Sequence, residues 1–169
     1  MAKKYNVELE VLSSLTKAPG TIVREVTNVE KMLLRGVTKD TNIARISIIG
    51  VPDTPGIAFK IFSKLAAKNV NVDVILQSIG RDGTKDITFT TSADHAETAV
   101  DVLRTSISEL AGKQILCDEG AAKISIVGAG MESHPGTAAK MFEALYEINV
   151  NIQMISTSEI KISVIIDKE

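Results

Sequence analysis

Residues 55–78 read PGIAFKIFSKLAAKNVNVDVILQS, and residues 135–158 read PGTAAKMFEALYEINVNIQMISTS. At this offset of 80 residues, 11 of the 24 paired positions are identical. ARISIIG at 44–50 recurs as AKISIVG at 122–128, at an offset of 78. Self-similarity at a constant spacing is the signature of a duplicated structural unit. The chain is therefore predicted to contain two copies of one small fold.

Hydrophobic periodicity predicts the elements of the first unit. ARISIIG is β-branched and bounded by Gly50, which favours a strand. Ile57, Ile61 and Leu65 recur at helical spacing, and Asp94 is expected to cap a second helix. The predicted order is strand 44–50, helix 57–69, strands 70–77 and 86–91, a helix after Asp94 and strand 114–117. This βαββαβ order predicts an α+β, ferredoxin-like unit with an antiparallel sheet and its helices on one face.

The second unit begins in the same way but is shorter. The pattern predicts strand 121–128, helix 136–148 and strands 150–156 and 160–166, after which one helix and one strand are missing. The missing pieces would cover apolar surface, so either another segment covers it or the natural polypeptide continues. We expect the second explanation, and therefore a truncated second module.

Residues 1–41 resemble neither repeat. Met32–Thr38 and Ala44–Gly50 are predicted to pair as a hairpin across Lys39–Asn42, and Val7–Leu12 alternates like a strand of an upstream domain. The predicted segments are a tail and linker with a leading strand at 1–41, a first module at 42–119, and a second module, incomplete at its C-terminal end, at 120–169.

Composition is that of an ordinary globular protein, with 44% hydrophobic and 24% charged residues. A net charge of −2 gives no field to attract nucleic acid or an anionic membrane. No apolar run reaches the roughly 18–20 residues of a membrane helix, and the N-terminal residues lack the apolar core of a signal peptide. The single cysteine excludes an internal disulfide. We expect a cytoplasmic location and neither a nucleic-acid nor a membrane partner.

Catalytic motifs are absent from the sequence, which has no GxxxxGK[ST] loop and no HRD-like catalytic loop. Gly128–Gly130 begins like a dinucleotide fingerprint but lacks the third glycine at the required spacing. His95 and His134 have no neighbour at metal-ligand spacing and are expected to be solvated or locally hydrogen-bonded. Cys117 is expected to be a small buried strand residue. The sequence therefore predicts no catalytic residue and no metal site.

The loops before the two repeated helices carry the binding chemistry. At Pro55-Gly56 the proline supplies a helix-compatible φ, and the glycine lets a ligand approach the backbone. The unpaired N–H groups of the first helical turn attract a carboxylate, and Asp53 is suited to hold an α-ammonium group. Together these features describe recognition of a free amino acid. The alternative is that Asp53 only caps the turn and Pro-Gly only starts the helix.

The second loop differs, because Met131–His134 stands where the first loop has its aspartate. Glu132 is near that place but not aligned with it, so the two sites are not expected to be equivalent. Asn69–Asn71 and Asn149–Asn151 open the following strands. They are either turn residues or contacts to a ligand that lies between neighbouring sheets.

Four stretches resemble the regulatory region of aspartate kinase, which carries tandem ACT domains. They are VPDTPGIAFKIFSKLA at 51–66, NVNVDVILQS at 69–78, GAGMESHPG at 128–136 and NVNIQMISTSEIKISVII at 149–166. A Pro-Gly loop alone would indicate only an ACT module, whereas GAGMESHPG and ISTSEIKISV are much narrower patterns. The resemblance covers the whole chain, since residues 2–23 resemble the tail of the kinase domain and its linker.

The resemblance implies that the modules pair their sheets side by side, within and between chains, and bind feedback inhibitors at the interfaces. Those inhibitors are lysine, threonine or both. It implies a parent enzyme that phosphorylates L-aspartate in lysine, threonine and methionine biosynthesis, with ATP and magnesium in its kinase domain. This segment itself would have no catalytic residue and no cofactor. Its expected partners are the catalytic domain or alpha subunit and a second copy of the chain, in a homodimer through the ACT domains.

The effector residues of the family carry over at matching positions. One site would use Asp53, Gly56, Ile57, Ala58 and Gln77 of the first module, completed by Asn151 and Ile152 of the second. The other would use Ser133, Gly136, Thr137, Ser158 and Glu159, facing Asn71, Val72 and Asp73. Asp73 has Gln153 as its counterpart, so one repeat alone offers an acid there.

Three other functions fit the sequence less well. An ACT pair from another amino-acid biosynthetic enzyme is the main alternative, and ISTSEIKISV speaks against it. An acylphosphatase-like enzyme needs an arginine in its phosphate loop, and the loops at 51–56 and 129–136 have none. An RNA-binding sheet needs aromatic residues on its central strands, where Phe89 alone is present. Lysine alone, threonine alone and both together are all compatible with the sequence.

Overall fold

The computed structural model describes residues 7, 9–13, 15, 20–23, 34–78, 80, 82–128 and 136–168. The chain divides into two units, Met1–Leu33 and Leu34–Glu169. In the first unit, strands β1 (Leu9–Val11) and β2 (Thr21–Val23) pair antiparallel. The second unit contains both copies of the repeat.

The described residues of the second unit form two four-stranded antiparallel sheets and three α-helices. Its elements are β3 (Gly36–Asp40), β4 (Ile43–Pro52), α1 (Ile57–Ala66), β5 (Val72–Gln77), β6 (Thr84–Ser92), α2 (Ala96–Ser106), β7 (Gln114–Asp118), β8 (Ala121–Val127), α3 (Thr137–Glu147), β9 (Met154–Thr157) and β10 (Lys161–Asp167). The sheet orders are β5-β6-β4-β7 and β3-β8-β10-β9. The predicted α+β fold is confirmed. None of the helices in the described residues is long and apolar enough to cross a membrane.

The core of the first module lies between its sheet and the two helices α1 and α2. Helix α1 buries Ile57, Ile61 and Leu65, because positions four residues apart lie on one side of a helix. The ring of Phe62 packs edge-on against Phe89 of β6, with 5.6 Å between the ring centroids. Helices α1 and α2 also contact each other, so both cover the same face of the sheet.

Two local predictions in this module are wrong. Ser92, not Asp94, caps the 3-10 turn at residues 93–95, because its Oγ accepts a hydrogen bond from the Asp94 N–H at 3.3 Å. The Asp94 carboxylate instead accepts a hydrogen bond from Asn42 Nδ2 at 3.0 Å. Cys117 is exposed rather than buried, because β7 is an edge strand with a neighbour on one side only.

The second sheet takes its fourth strand from the segment that precedes the first module. Strands β8, β9 and β10 belong to the second repeat, but the strand beside β8 is β3. Lys123 of β8 lies opposite Asp40 of β3, just as Arg45 of β4 lies opposite Asp118 of β7. Strand β3 therefore holds in the second sheet the position that β7 holds in the first.

The predicted hairpin between Met32–Thr38 and Ala44–Gly50 is consequently wrong. Two residues, Thr41 and Asn42, separate β3 from β4, yet the two strands lie in different sheets. Strand β4 has β6 on one side and β7 on the other, so neither of its edges is open. The second repeat leaves one edge of β8 open, and β3 covers it. The fourth strand that we expected from a continuing chain is thus supplied by β3.

A hydrophobic cluster joins the two sheets. Its members are Ile43 and Val74 of the first sheet and Ala121, Met154 and Ile165 of the second. All five side chains are buried, so the two modules share an interior. The segment boundaries at 1–41, 42–119 and 120–169 stay a prediction.

Met154→Ala should lower the free energy of unfolding by about 2–4 kcal/mol, because Met154 is buried in the cluster between the sheets. The control is Ile155→Ala, which changes the next residue of β9, is 41% exposed, and should cost less than about 1 kcal/mol. Urea denaturation followed by circular dichroism measures both values. Equal losses would show that the cluster does not hold the sheets together.

Candidate functional site

The two repeated helices both begin after a glycine with a left-handed backbone. Gly56 and Gly136 have φ angles of 90° and 95°, a conformation that other residues rarely adopt. A Cβ at either position would meet no atom of the described residues within 4 Å, so the described part of the chain leaves open space beside each helix start. The helices begin at Ile57 and Thr137. Pro55 and Gly56 therefore lie directly before the first helical residue.

Asn69 and Asn149 act as turn residues at the ends of α1 and α3. Both have a φ of 56°, a left-handed conformation that asparagine tolerates better than most residues. The N–H of the next residue donates to the Leu65 carbonyl at 3.0 Å in the first module and to the Leu145 carbonyl at 2.9 Å in the second. Of the two interpretations of this motif, turn chemistry holds for the first asparagine of each copy.

Asp53 is bonded to the turn that precedes β6 and to a nearly buried lysine. Its N–H donates to the Gly83 carbonyl at 2.9 Å, and its Oδ1 lies 2.9 Å from Lys85 Nζ. The Asp53 side chain is 49% exposed and that of Lys85 is 9% exposed. Because an ionised carboxylate accepts several hydrogen bonds, the pair with Lys85 leaves capacity for the ammonium group of a ligand.

A cavity of about 420 Å³ lies between the two modules and is called here the Gln77 cavity. It is lined by Arg45, Ser47, Leu76, Gln77, Ser78, Asp86, Thr88, Gln153 and Met154. Of the residues predicted for the first effector site, Gln77 lines it, whereas Asp53, Gly56, Ile57, Ala58, Asn151 and Ile152 do not. This cavity is therefore lined by residues of both modules, but Gln77 is the one residue of the predicted first site that lines it.

A second cavity between the modules, the Asp73 cavity, has a volume of about 450 Å³. It is lined by Asp40, Asn42, Ile43, Asn71, Val72, Asp73, Thr90, Thr91, Ser92, His95 and Lys123. The consecutive residues of the predicted facing group, Asn71, Val72 and Asp73, therefore all line this cavity. Its predicted companions Gly136, Thr137, Ser158 and Glu159 do not line this cavity, and Ser133 lies outside the described residues. His95 is exposed, as predicted, and His134 is also outside the described residues.

Lys123 is the central charge of the Asp73 cavity. Its Nζ lies 2.5 Å from Asp73 Oδ2 and 3.6 Å from Asp40 Oδ2. The hydrogen bond from Lys123 lowers the pKa of Asp73, although partial burial opposes the shift; the charges of Lys123 and Lys161 also favour the ionised form. Asp73 is therefore ionised at neutral pH and attracts cations.

Four charged residues at the module boundary were not predicted. Lys123 and Asp40 are equivalent to Arg45 and Asp118, and Arg45 Nη2 lies 2.8 Å from Asp118 Oδ2. One sequence signal points to the basic pair, since Arg45 and Lys123 occupy the same position of the repeated strand. The acids give no such signal, because β3 has no detectable similarity to β7.

Gln153 marks the asymmetry between the two cavities. It stands where the first module has Asp73, and its Nε2 donates a hydrogen bond to the Asp167 carboxylate. Its Oε1 is buried and has no hydrogen-bond partner among the described residues. No group of three His, Cys, Asp or Glu side chains in the described part of the chain could hold a metal ion. The arrangement is suited to binding a small polar ligand.

Comparison with known proteins identifies the class to which this fold belongs. A family model of the ACT domain matches residues 44–107, and another ACT-domain model matches residues 124–169. The two matches fall on the two copies of the repeat. The second unit is therefore a tandem of ACT domains.

The particular family follows from relatives that match along nearly the whole chain. The chain is 45% identical over 170 residues to the aspartate kinase of Stutzerimonas stutzeri. The aligned region covers 99% of this chain and 41% of that protein. The regulatory subunit of aspartate kinase from Thermus thermophilus is 40% identical with a TM-score of 0.76, covering 80% of this chain and 89% of that one. A chain in a crystal structure of aspartokinase alpha and beta subunits is 43% identical with a TM-score of 0.74, covering 80% of this chain and 88% of that one.

This chain belongs to the aspartate kinase family and corresponds to its regulatory region. It spans about two fifths (41%) of the length of the curated aspartate kinase that it matches.

The pair between Asp73 and Lys123 should make stability depend on pH. Because the pKa of Asp73 is lowered in the folded protein, folding favours its charged form. The stabilisation is complete above the ordinary aspartate pKa of about 4 and is lost as the pH falls through the folded-state pKa. The stability advantage of wild type over Asp73→Asn should therefore shrink below about pH 4. Urea unfolding near neutral pH and in acid measures it, and a constant difference would contradict the argument.

Proposed function

We propose that this chain is the amino-acid-binding regulatory region of an aspartate kinase, through which lysine, threonine or both inhibit the enzyme. The parent enzyme would phosphorylate L-aspartate with ATP. The observation that carries the proposal is the identity of 40% to a regulatory subunit of aspartate kinase, over 89% of that subunit. A cytoplasmic location goes with this proposal.

The chemistry of the module boundary supports an amino acid as the ligand. A free amino acid carries an ammonium group and a carboxylate. Its site therefore needs a negatively charged hydrogen-bond acceptor for the ammonium group and hydrogen-bond donors for the carboxylate. Asp73 is an ionised acceptor in a cavity of about 450 Å³, and Asp53 keeps exposed carboxylate surface beside the start of α1. The open space at Gly56 gives a carboxylate access to the first-turn N–H groups of that helix.

Binding at a boundary between modules provides a route to regulation. An effector shifts a conformational equilibrium only by its difference in affinity for the two states, commonly about 1–3 kcal/mol. A site built from both modules changes whenever the modules move against each other, because its two halves then separate. The partner that reads this change would be the catalytic domain or a separate catalytic subunit.

Calorimetric titration of the chain with L-lysine and with L-threonine tests the proposal. At least one amino acid should bind the wild type, and Asp53→Ala should weaken binding at the start of α1 by about 1.5–3 kcal/mol, because the ammonium group of a ligand bound there loses its charged acceptor. Circular dichroism must show a folded variant, since Lys85 also loses its partner.

The matched control is Glu109→Ala, which likewise removes an acid bonded to a lysine, Lys64, at 2.7 Å. It should leave the affinity unchanged. Wild type that binds neither amino acid would contradict the proposed function, whereas equal affinity of wild type and Asp53→Ala would make Asp53 a turn residue only.

We also propose that the chain acts as a homodimer. Two observations support this: neither the Gln77 cavity nor the Asp73 cavity gathers all of the predicted effector residues that lie in the described part of the chain, and Phe59, Tyr146 and Ile148 are large apolar residues left mostly exposed. Residues from a second copy can complete the sites and cover these side chains.

Sedimentation velocity at micromolar concentration should show a dimer, because the exposed apolar side chains favour association. Phe59→Ser should shift the distribution toward monomer, and Leu116→Ser, which changes an exposed apolar residue of β7, is the control. A wild-type monomer with and without lysine and threonine would rule the homodimer out.

A further inference from the structure

Lys123 and Arg45 hold equivalent positions in the repeat, yet their closest acids differ. Arg45 is paired at 2.8 Å with Asp118, the acid opposite to it on the neighbouring strand. Lys123 lies 3.6 Å from the equivalent acid, Asp40, but 2.5 Å from Asp73 of the other module. The stronger bond of Lys123 therefore crosses the boundary between the modules.

We propose that Lys123 is an internal competitor for the Asp73 carboxylate and so determines how tightly an amino-acid effector binds. The inference rests on the proposed function and concerns the Asp73 cavity, where the ammonium group of an effector would bind at Asp73; the loop of Asp53 is a separate candidate site. The effector's ammonium and that of Lys123 need the same carboxylate. On binding, the effector displaces Lys123 from Asp73, and Lys123 pairs with Asp40.

The surroundings of Lys123 favour such an exchange. Its side chain is 15% exposed, and an ammonium group left unpaired at that depth would be unfavourable. Asp40 is already 3.6 Å from the same Nζ, and the four-carbon stem of lysine reorients easily. Lys123 therefore exchanges one acid for another and keeps an ion pair throughout.

The equivalent pair in the first module shows that the fold accommodates the second arrangement. Arg45 and Asp118 lie opposite each other in the same register as Lys123 and Asp40, and they form a direct ion pair at 2.8 Å. Pairing of Lys123 with Asp40 thus needs no change of backbone register.

The exchange would move a bond from the boundary between modules into the second sheet. Before it, Lys123 ties β8 to β5 of the first module; after it, Lys123 ties β8 to β3. Effector binding would therefore loosen one link between the modules and strengthen the attachment of β3. This gives the effector a different interaction with each arrangement, which is the requirement for regulation.

Calorimetric titration of the whole chain with L-lysine and with L-threonine tests the inference. Lys123→Met removes the competing ammonium and keeps a similar apolar stem, so it should tighten binding of the amino acid that wild type binds by about tenfold. Asp40→Asn removes the acid that receives the displaced lysine, so it should weaken binding by roughly threefold or more. The matched control is Lys64→Met, which removes a lysine from the ion pair with Glu109 and should leave affinity unchanged.

The outcomes separate the two proposals. Wild type that binds neither amino acid contradicts the proposed function, and the inference falls with it. If wild type binds and Lys123→Met binds equally or more weakly, the inference is wrong and the proposed function stands. Should Lys123→Met fail to fold, Asp40→Asn decides alone, because Asp40 is half-exposed and its substitution should leave the protein folded. Weaker binding by Asp40→Asn supports the exchange, and unchanged affinity rejects it.

Discussion

The pairing of β3 with β8 is the constraint on which the rest of the structure depends. An uncovered strand edge exposes unpaired N–H and C=O groups, and the second repeat leaves such an edge on β8. Strand β3 covers it although β4 follows after two residues. The chain must therefore pass from the second sheet to the first, complete the first module and then return. The first module is therefore connected to the second sheet at both of its ends, through β3 before it and through β8 after it.

The same path gives the two sheets equivalent strand orders and brings unlike charges to the boundary between the modules. The shared hydrophobic cluster contains two pairs of equivalent residues of the repeat, Ile43 with Ala121 and Val74 with Met154. Around this cluster the two modules differ, because Asp73 of one module corresponds to Gln153 of the other. The first is an ionised acceptor bonded to a lysine, and the second is a neutral amide with a buried carbonyl oxygen. Two similar cavities thus offer different chemistry.

Local patterns predicted most of the helices and strands. Helix α1 starts at Ile57 as predicted, and α3 covers 137–147 where 136–148 was predicted, because helical periodicity is read from neighbouring residues. Strand β9 starts four residues later than predicted, at Met154. The reason is Asn149, whose left-handed backbone lets the next N–H bond back to the end of α3. The sequence pattern alone places Asn149–Asn151 at the opening of the strand.

The residues alone thus established a duplicated α+β unit and its helices, since hydrophobic spacing and glycine positions are properties of short segments. The partner of β3 and the meeting of Asp40, Asp73 and Lys123 depended on the tertiary structure. These three residues come from three strands and two modules, and Asp40 and Lys123 are 83 positions apart. These residues meet because β3 pairs with the open edge of β8. Such pairing depends on which strand edge is available in the folded structure and not on the distance along the chain.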